Sequence, residues 1–193
     1  MEDPTAYRPS SEEIREEISF QKRRTSFWRI LTTTIFTLMC VAAAAILLAT
    51  QLFPTLRIYG SSMNPVLREG EIALSVKGSS FSPGDVVAFY YNNKLLVKRV
   101  ICGPGDWFNL QADGTVYVNG NPLKEPYLTE KSFGQCDLEL PYQVPEGQYF
   151  VMGDQRESSV DSRLTQVGCV PLEQIVGKIV FCVWPPGSIR RVA

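Results

Sequence analysis

The chain has 193 residues, 45% of them hydrophobic and 20% charged, which is enough for one globular domain but not comfortably for two. Its 19 basic and 20 acidic residues give a net charge of −1, so no overall basic field is available to hold nucleic acid. The sequence contains no histidine, which excludes Ser-His-Asp and Cys-His catalysis and imidazole-ligated metals and leaves lysine, a carboxylate or an N-terminal amine as a possible base.

The five cysteines form no Cys-x-x-Cys pair, so we expect no zinc site and no other metal or cofactor. Cys40 lies in an apolar stretch. The other four either pair as disulfides or remain buried thiols, and the sequence does not choose between these states. They are Cys102, Cys136, Cys169 and Cys182.

Residues 1–29 form a charged leader. Its segment Ser10–Ile14 has the Ser-x-x-Glu pattern of a capping box and predicts the start of a short acidic helix. Four cations follow before the sequence becomes apolar, namely Lys22, Arg23, Arg24 and Arg29.

No charged residue occurs between Arg29 and Arg57, and the run from Ile35 to Phe53 is almost continuously apolar. About 20 apolar residues in a helix span a bilayer, so we predict one transmembrane helix at 30–53. A cleaved signal sequence is disfavoured because leader and apolar run are both too long for one. A buried core helix is disfavoured because the run has no polar face.

The leader carries most of the flanking positive charge. The positive-inside rule therefore predicts that residues 1–29 stay in the cytoplasm and that residues 54–193 are exported. We expect a single-pass protein of the plasma membrane whose partners include the lipid bilayer.

The exported part is predicted to be mainly β. Branched and aromatic residues recur in short runs, with turn sequences at 92–94, 112–114 and 119–120 between them. Residues 119–148 are rich in proline, glycine and charge, which predicts an excursion from the main sheet. The predicted strands are Glu71–Val76, Asp85–Tyr91, Leu95–Ile101, Thr115–Val118, Tyr149–Met152 and Ile175–Trp184.

Three stretches of the exported part are unusually specific. Gly60–Pro65 contains Ser-Met-x-Pro, Val97–Asp106 contains Lys-Arg-Val, and Gly153–Arg163 reads Gly-Asp-x-Arg-x-x-Ser-x-Asp-Ser-Arg. Each alone could be a turn or a polar loop with salt bridges. Together with Gly-Asp-Val-Val-x-Phe at 84–89, the leader and the single span, their order resembles that of the bacterial type I signal peptidases, which are membrane-bound Ser/Lys proteases.

The resemblance implies a role for individual residues of these motifs. Ser62 matches the nucleophile and Lys98 the general base. Ser159 matches the serine that orients the lysine. Asp161 and Arg163 match an ion pair that braces the loop. Further supporting positions are matched by Asp154, Arg156 and Arg99.

Physical chemistry agrees with this assignment. A serine hydroxyl needs a nearby base, and a lysine can serve only when its pKa is lowered so that the amine is neutral. Burial among apolar neighbours has that effect, and Leu95-Leu96-Val97 precedes Lys98. Gly60 departs from those family members that carry a serine there, which leaves the Ser62 backbone N–H as the main oxyanion donor.

The resemblance also implies the substrate class: preproteins with a signal peptide and small residues before the cleavage site. We expect the substrate to bind as an added β-strand. Candidate binding residues are Ile58, Tyr59, Gly60, Met63, Leu96 and Val97. One alternative is another Ser/Lys protease of the same fold. A second is a catalytically silent, membrane-anchored β domain that only binds exported peptides. A sortase is excluded because it needs histidine.

Overall fold

The computed structural model describes residues 10–78 and 80–192. They divide into two compact units, of which the first ends at Ala49 and the second begins at Thr50. The first unit is helical, and the second contains all the β-strands of the described chain.

One continuous helix, α1, spans Ser11–Leu52, so the acidic leader segment and the apolar run belong to the same element. Its start has the predicted capping box. The Ser10 backbone N–H donates to Glu13 Oε2 at 2.8 Å, and the Glu13 N–H donates to Ser10 Oγ at 3.2 Å. These reciprocal bonds satisfy N–H groups that have no partner within the helix.

Helix α1 is long and apolar enough to cross a membrane by length and composition. The four threonines between residues 32 and 37 keep their hydroxyls bonded inside the helix. Thr33 Oγ1 donates to the Arg29 carbonyl at 2.8 Å, and Thr34 and Thr37 bond the carbonyl four residues earlier in the same way. A hydrocarbon environment penalises unsatisfied polar groups, so these threonines are compatible with a membrane span.

The second unit is built from antiparallel β-strands, as the sequence predicted. Short 3₁₀ helices occur at Leu172–Gln174 and Pro186–Ser188. The strands are β1 (Thr55–Arg57), β2 (Ile72–Val76), β3 (Val86–Tyr91), β4 (Lys94–Cys102), β5 (Trp107–Leu110), β6 (Val116–Val118), β7 (Asn121–Pro122), β8 (Tyr142–Gln143), β9 (Gln148–Met152), β10 (Val170–Pro171), β11 (Ile175–Trp184) and β12 (Arg190–Arg191).

These strands form two sheets. The larger sheet has the order β1-β2-β11-β3-β4-β9-β10, with β12 paired to β11, and the smaller sheet has the order β7-β6-β5-β8. The six predicted strands are all present, with ends that differ by one residue at most. Strand β5 was not predicted, and two short strands of the 119–148 segment, β7 and β8, pair into the smaller sheet with it.

The predicted hairpin turns have the backbone that their residues favour. Asn92 and Asn93 connect β3 to β4 with φ of 47° and 60°, and Asn119 and Gly120 connect β6 to β7 with φ of 52° and 79°. Asparagine and glycine tolerate positive φ better than other residues and give the turns that match the twist of paired strands. The β3–β4 hairpin matters for function because it fixes the register of the strand that carries Lys98.

Candidate active site

The loop Gly153–Arg163, which directly follows β9, organises the candidate site. Strand β9 pairs with β4 through Met152 opposite Arg99, so the loop leaves the sheet beside Lys98. The loop returns to β9 at Ser162, which exchanges two hydrogen bonds with the Val151 backbone through its N–H and its Oγ. Both ends of the loop are therefore fixed to one strand.

The Lys98 side chain is buried, with 3% of the residue exposed. Its Nζ donates to Ser159 Oγ at 2.8 Å, and Ser159 is also 3% exposed. Burial lowers the pKa of Lys98 from 10.5 to about 8, because the charged amine loses its hydration. Arg163 lowers the same pKa further, while Asp161 and Asp154 oppose the shift. The predicted contact of Ser159 with Lys98 is present.

Ser62 is half-buried and lies in a turn that is bonded to the same loop. Its backbone carbonyl accepts the Gln155 N–H at 3.0 Å, and the Ser159 N–H donates to the Gln155 carbonyl at 3.1 Å. On the following side, Met63 and Leu67 are buried in the core. The turn that carries Ser62 is thus held from both directions.

Gly153 is the point where Ser62 and Ser159 come together. A Cβ on Gly153 would lie 2.7 Å from the Ser62 carbonyl oxygen and would overlap the Ser159 side chain. Only a residue without a side chain allows this approach. Lys98, Ser159 and the Ser62 turn are therefore joined in one cluster.

Asp161 and Arg163 form the predicted ion pair. Arg163 Nε donates to Asp161 Oδ1 at 2.9 Å and Nη2 donates to Oδ2 at 3.0 Å, with both side chains fully buried. Arg163 also donates to the carbonyls of Phe133 and Arg156, and Asp161 Oδ2 accepts the Gly153 N–H at 3.0 Å. This pair ties the two ends of the loop together.

Arg99 and Asp154 form a second buried pair. Two parallel bonds of 2.8 Å join the Arg99 guanidinium to the Asp154 carboxylate, and Arg99 Nη1 donates to the Gly84 carbonyl at 2.7 Å. The guanidinium carbon lies 3.8 Å from the centre of the Tyr127 ring. The residue beside Lys98 thus anchors the first turn of the loop.

The candidate substrate residues do not form one surface. Ile58 and Met63 are each 2% exposed, and Val97 packs against the same core cluster. Leu96 packs against a different cluster because consecutive strand residues face opposite sides. Tyr59 is 74% exposed. Gly60 has φ of 80°, a conformation that favours glycine.

Part of β4 has an open edge beside Lys98. The strand pairs with β3 from Lys94 to Arg99, but its pairing with β9 begins only at Arg99. Within the described residues, the other edge of Lys94–Lys98 has no strand partner. An edge of this kind can accept an extended peptide as an additional strand.

Comparison with known proteins identifies the family of the chain. Residues 30–184 match the family model described as signal peptidase, peptidase S26. The chain belongs to this family. It is 34% identical over 190 residues to signal peptidase I of Bacillus licheniformis, covering 91% of this chain and 98% of that protein.

Two further relatives lie in the same family. The chain is 38% identical over 154 residues to signal peptidase IB of Staphylococcus aureus strain COL, with 69% of this chain and 79% of that protein covered. A crystal structure of signal peptidase I from Enterococcus faecalis V583 matches with 31% identity and a TM-score of 0.45, covering 52% of this chain and 97% of that one.

The sequence analysis missed two residues that support the candidate site, Glu125 and Tyr127. Glu125 accepts a bond from Arg156 Nη2 at 2.5 Å and one from the Tyr127 hydroxyl at 3.0 Å, and the Glu125 and Arg156 side chains are fully buried. Arg156 Nε also donates to the Gly153 carbonyl at 3.0 Å. Both missed residues lie in the 119–148 segment, whose composition indicated a solvated excursion and gave no sign of this contact.

We expect that Gly153→Ala lowers peptidase activity at least roughly tenfold, because the added methyl group separates Ser62 from Ser159. Overpacking of this kind also costs about 1–3 kcal/mol of stability. Activity and thermal unfolding of the variant in detergent measure both effects. Gly187→Ala is the control, since a Cβ there meets nothing within 4 Å. Wild-type activity in Gly153→Ala would contradict the description of the cluster.

Proposed function

We propose that this member of the signal peptidase family is a membrane-anchored serine endopeptidase that cleaves signal peptides from exported preproteins with Ser62 as nucleophile and Lys98 as base. The observation that carries the proposal is the buried Lys98 amine, bonded to Ser159 and joined through Gly153 and Gln155 to the Ser62 turn. A buried lysine that lacks an ion-pair partner in the described chain suits a base better than a structural cation.

The reaction follows from the chemistry of these groups. Ser62 Oγ attacks the carbonyl carbon before the cut while neutral Lys98 takes its proton, and the Ser62 backbone N–H stabilises the oxyanion. Lys98 then gives the proton to the leaving amine. A water molecule attacks the acyl-enzyme, Lys98 takes a proton from it, and that proton returns to Ser62 as the ester breaks. Ser159 holds the amine in position throughout.

The substrate binds in extended form along the open edge of β4 from Leu95 to Lys98. Backbone hydrogen bonds to this edge supply affinity without regard to side chains. The side chains of Ile58, Met63 and Val97 are packed into one core cluster, and we propose that the residues before the cut must be small to lie against it.

Helix α1 serves as the anchor. The charge of the leader favours a cytoplasmic N-terminus and an extracytoplasmic catalytic unit in the plasma membrane. Anchoring suits the substrate class, since the apolar segment of a signal peptide lies in the same bilayer.

The direct test is to incubate the detergent-solubilised full-length protein with a preprotein and to sequence the new N-terminus. Cleavage after a small residue at the end of the signal peptide is expected. A protein that binds the preprotein without cutting it would instead be the binding-only β domain.

We expect Ser62→Ala to abolish processing without unfolding the protein, because a single hydroxyl in a half-buried turn contributes little to stability. Ser61→Ala is the matched control, since Ser61 is exposed and precedes the nucleophile. Processing and circular dichroism are measured on both variants. Loss of processing in Ser61→Ala together with retained processing in Ser62→Ala would refute the choice of nucleophile.

The rate should follow the ionisation of Lys98. With a pKa of about 8, the neutral fraction falls as pH drops below 8, so we expect kcat/KM to decline about tenfold per pH unit on the acid side. Lys98→Arg keeps the charge but stays protonated and should be inactive. The measurement is the pH profile of peptide cleavage. A flat profile down to pH 5 would identify a carboxylate as the base.

Ser159→Ala should lower kcat by roughly 10- to 1,000-fold, since it removes the hydrogen bond that orients the Lys98 amine. Because the bond acts on positioning, kcat should change more than KM. Ser158→Ala is the control, because Ser158 is exposed. Steady-state kinetics of the two variants decide the point, and an unimpaired Ser159→Ala would refute the orienting role.

A further inference from the structure

A cleft opens directly beside the Ser62 turn. It has a volume of about 400 Å³ and lies between Asn64 and Pro65, residues 129–132, and residues 154–157. We name it the Gln155 cleft. Its volume lies within the range of roughly 300–1,000 Å³ that is typical of binding pockets. The Gln155 N–H holds the Ser62 carbonyl, so one wall of the cleft is bonded to the turn of the proposed nucleophile.

The walls of the cleft are held by contacts that do not involve a substrate. The Ser132 hydroxyl donates to Glu157 Oε2 and accepts the Gly134 N–H at 3.1 Å, which joins the 129–132 wall to the Gly153–Arg163 loop. The Ser132 backbone also packs against Gly114, where a Cβ would come within 2.6 Å of the Ser132 nitrogen. The cleft is therefore a preformed feature of the fold.

The buried charges of the cleft are compensated, whereas two exposed ones are not. Asp154 is paired with Arg99, and Arg156 is paired with Glu125. The Lys131 amine donates to Thr115 Oγ1 at 3.2 Å and interacts with Asp113, outside the cleft. Glu130 and Glu157 are exposed and have no ion-pair partner among residues 10–78 and 80–192. With Lys131, the exposed residues of the lining therefore carry one net negative charge, and the Lys131 amine is directed to Thr115 outside the cleft.

An unsatisfied donor lies in the same wall. Arg156 Nη1 is buried without a hydrogen-bond partner in the described chain. Glu125 Oε2 of the same ion pair is likewise without a partner in the described chain, and neither atom is exposed to solvent, so the two unsatisfied atoms belong to the buried pair and not to the surface of the cleft.

The position of the cleft determines which part of a substrate it can hold. In the proposed function, the peptide before the cut occupies the open edge of β4. The Gln155 cleft is lined by Asn64 and Pro65, which follow the nucleophile in the chain, and by none of the residues of the β4 edge. We propose that it binds the first residues of the mature protein, which leave with the new amine, and that Glu130 and Glu157 disfavour acidic residues there and favour lysine or arginine.

This inference rests on the proposed function, and peptides of one design test both. Three peptides share a signal sequence and cleavage site and carry Lys, Gln or Glu at the second and third positions after the cut. At low salt, the full-length protein in detergent should cleave the Lys peptide about three- to tenfold faster than the Glu peptide in kcat/KM, as expected for a few partly exposed charges. The ratio should fall toward one at high salt.

The matched variants isolate the two carboxylates. Glu130→Gln/Glu157→Gln should bring the Lys-to-Glu ratio close to one. Glu146→Gln/Glu173→Gln removes the same charge from exposed sites outside the cleft and should keep the wild-type ratio. Since the ratio compares two peptides on one variant, a general change in rate cancels.

Each outcome has a distinct meaning. Cleavage of all three peptides at equal rates, or a ratio that survives removal of both cleft carboxylates, overturns the inference and leaves the proposed function intact. If the preference for the Lys peptide is lost in both double variants, it arises from the net charge of the protein, and the inference is again overturned. If the wild-type protein cleaves none of the peptides, the proposed function fails and the inference fails with it.

Discussion

Burial of the Lys98 amine is the constraint on which the candidate site depends. A protease without histidine needs a lysine that is neutral near working pH, and removal of water is the main cause of its lowered pKa. The adjacent Asp161–Arg163 pair contributes opposing effects, since the carboxylate raises the pKa and the guanidinium lowers it. Because these effects oppose each other, the loop can carry charge close to Lys98 without restoring its ordinary pKa.

The loop that excludes water from Lys98 is itself held by buried charge. Arg99, Arg156 and Arg163 are among the largest fully buried side chains of the described residues. Pairs of this kind add little net stability, because desolvation offsets attraction, but loss of one partner is strongly destabilising. The planar guanidinium can bond a carboxylate with two parallel bonds and still reach backbone carbonyls, as Arg99 and Arg163 do. The arginines therefore fix the geometry of the loop, and through it the position of Ser159.

The sequence predicted what depends on local pattern. Local conformational preferences, which involve only a few neighbouring residues, determine the capping box at Ser10, the asparagine turns and the alternating strands. The Asp161–Arg163 pair was implied by the resemblance of its motif to that of the signal peptidases. Strand β5 begins two residues after Gly105, where the turn signal of Gly103-Pro104-Gly105 masks the strand pattern.

Contacts between distant segments could not be predicted in the same way. Glu125 meets Arg156 across 31 residues, and Arg99 meets Asp154 across 55. Nothing in the composition near Glu125 distinguishes a buried carboxylate from a solvated one. The approach of Ser62 to Ser159 depends on the missing side chain of Gly153. Glycine in a motif suggests a turn as readily as a close contact, so only the folded chain reveals which one applies.

The pairing of β4 gives the proposed cleavage a fixed position. The strand is open along Lys94–Lys98 and closed by β9 from Arg99 onward. A peptide that adds to the open edge must stop where Met152 already occupies the partner position of Arg99. The end of the available edge is therefore at Lys98, beside the loop that contacts the Ser62 turn. In the proposed mechanism, the bond to be cut is located by where β9 ends the open edge, and side-chain pockets only select which peptides can lie there. In this mechanism, the end of the open edge explains how the site can cut at one position along an extended chain.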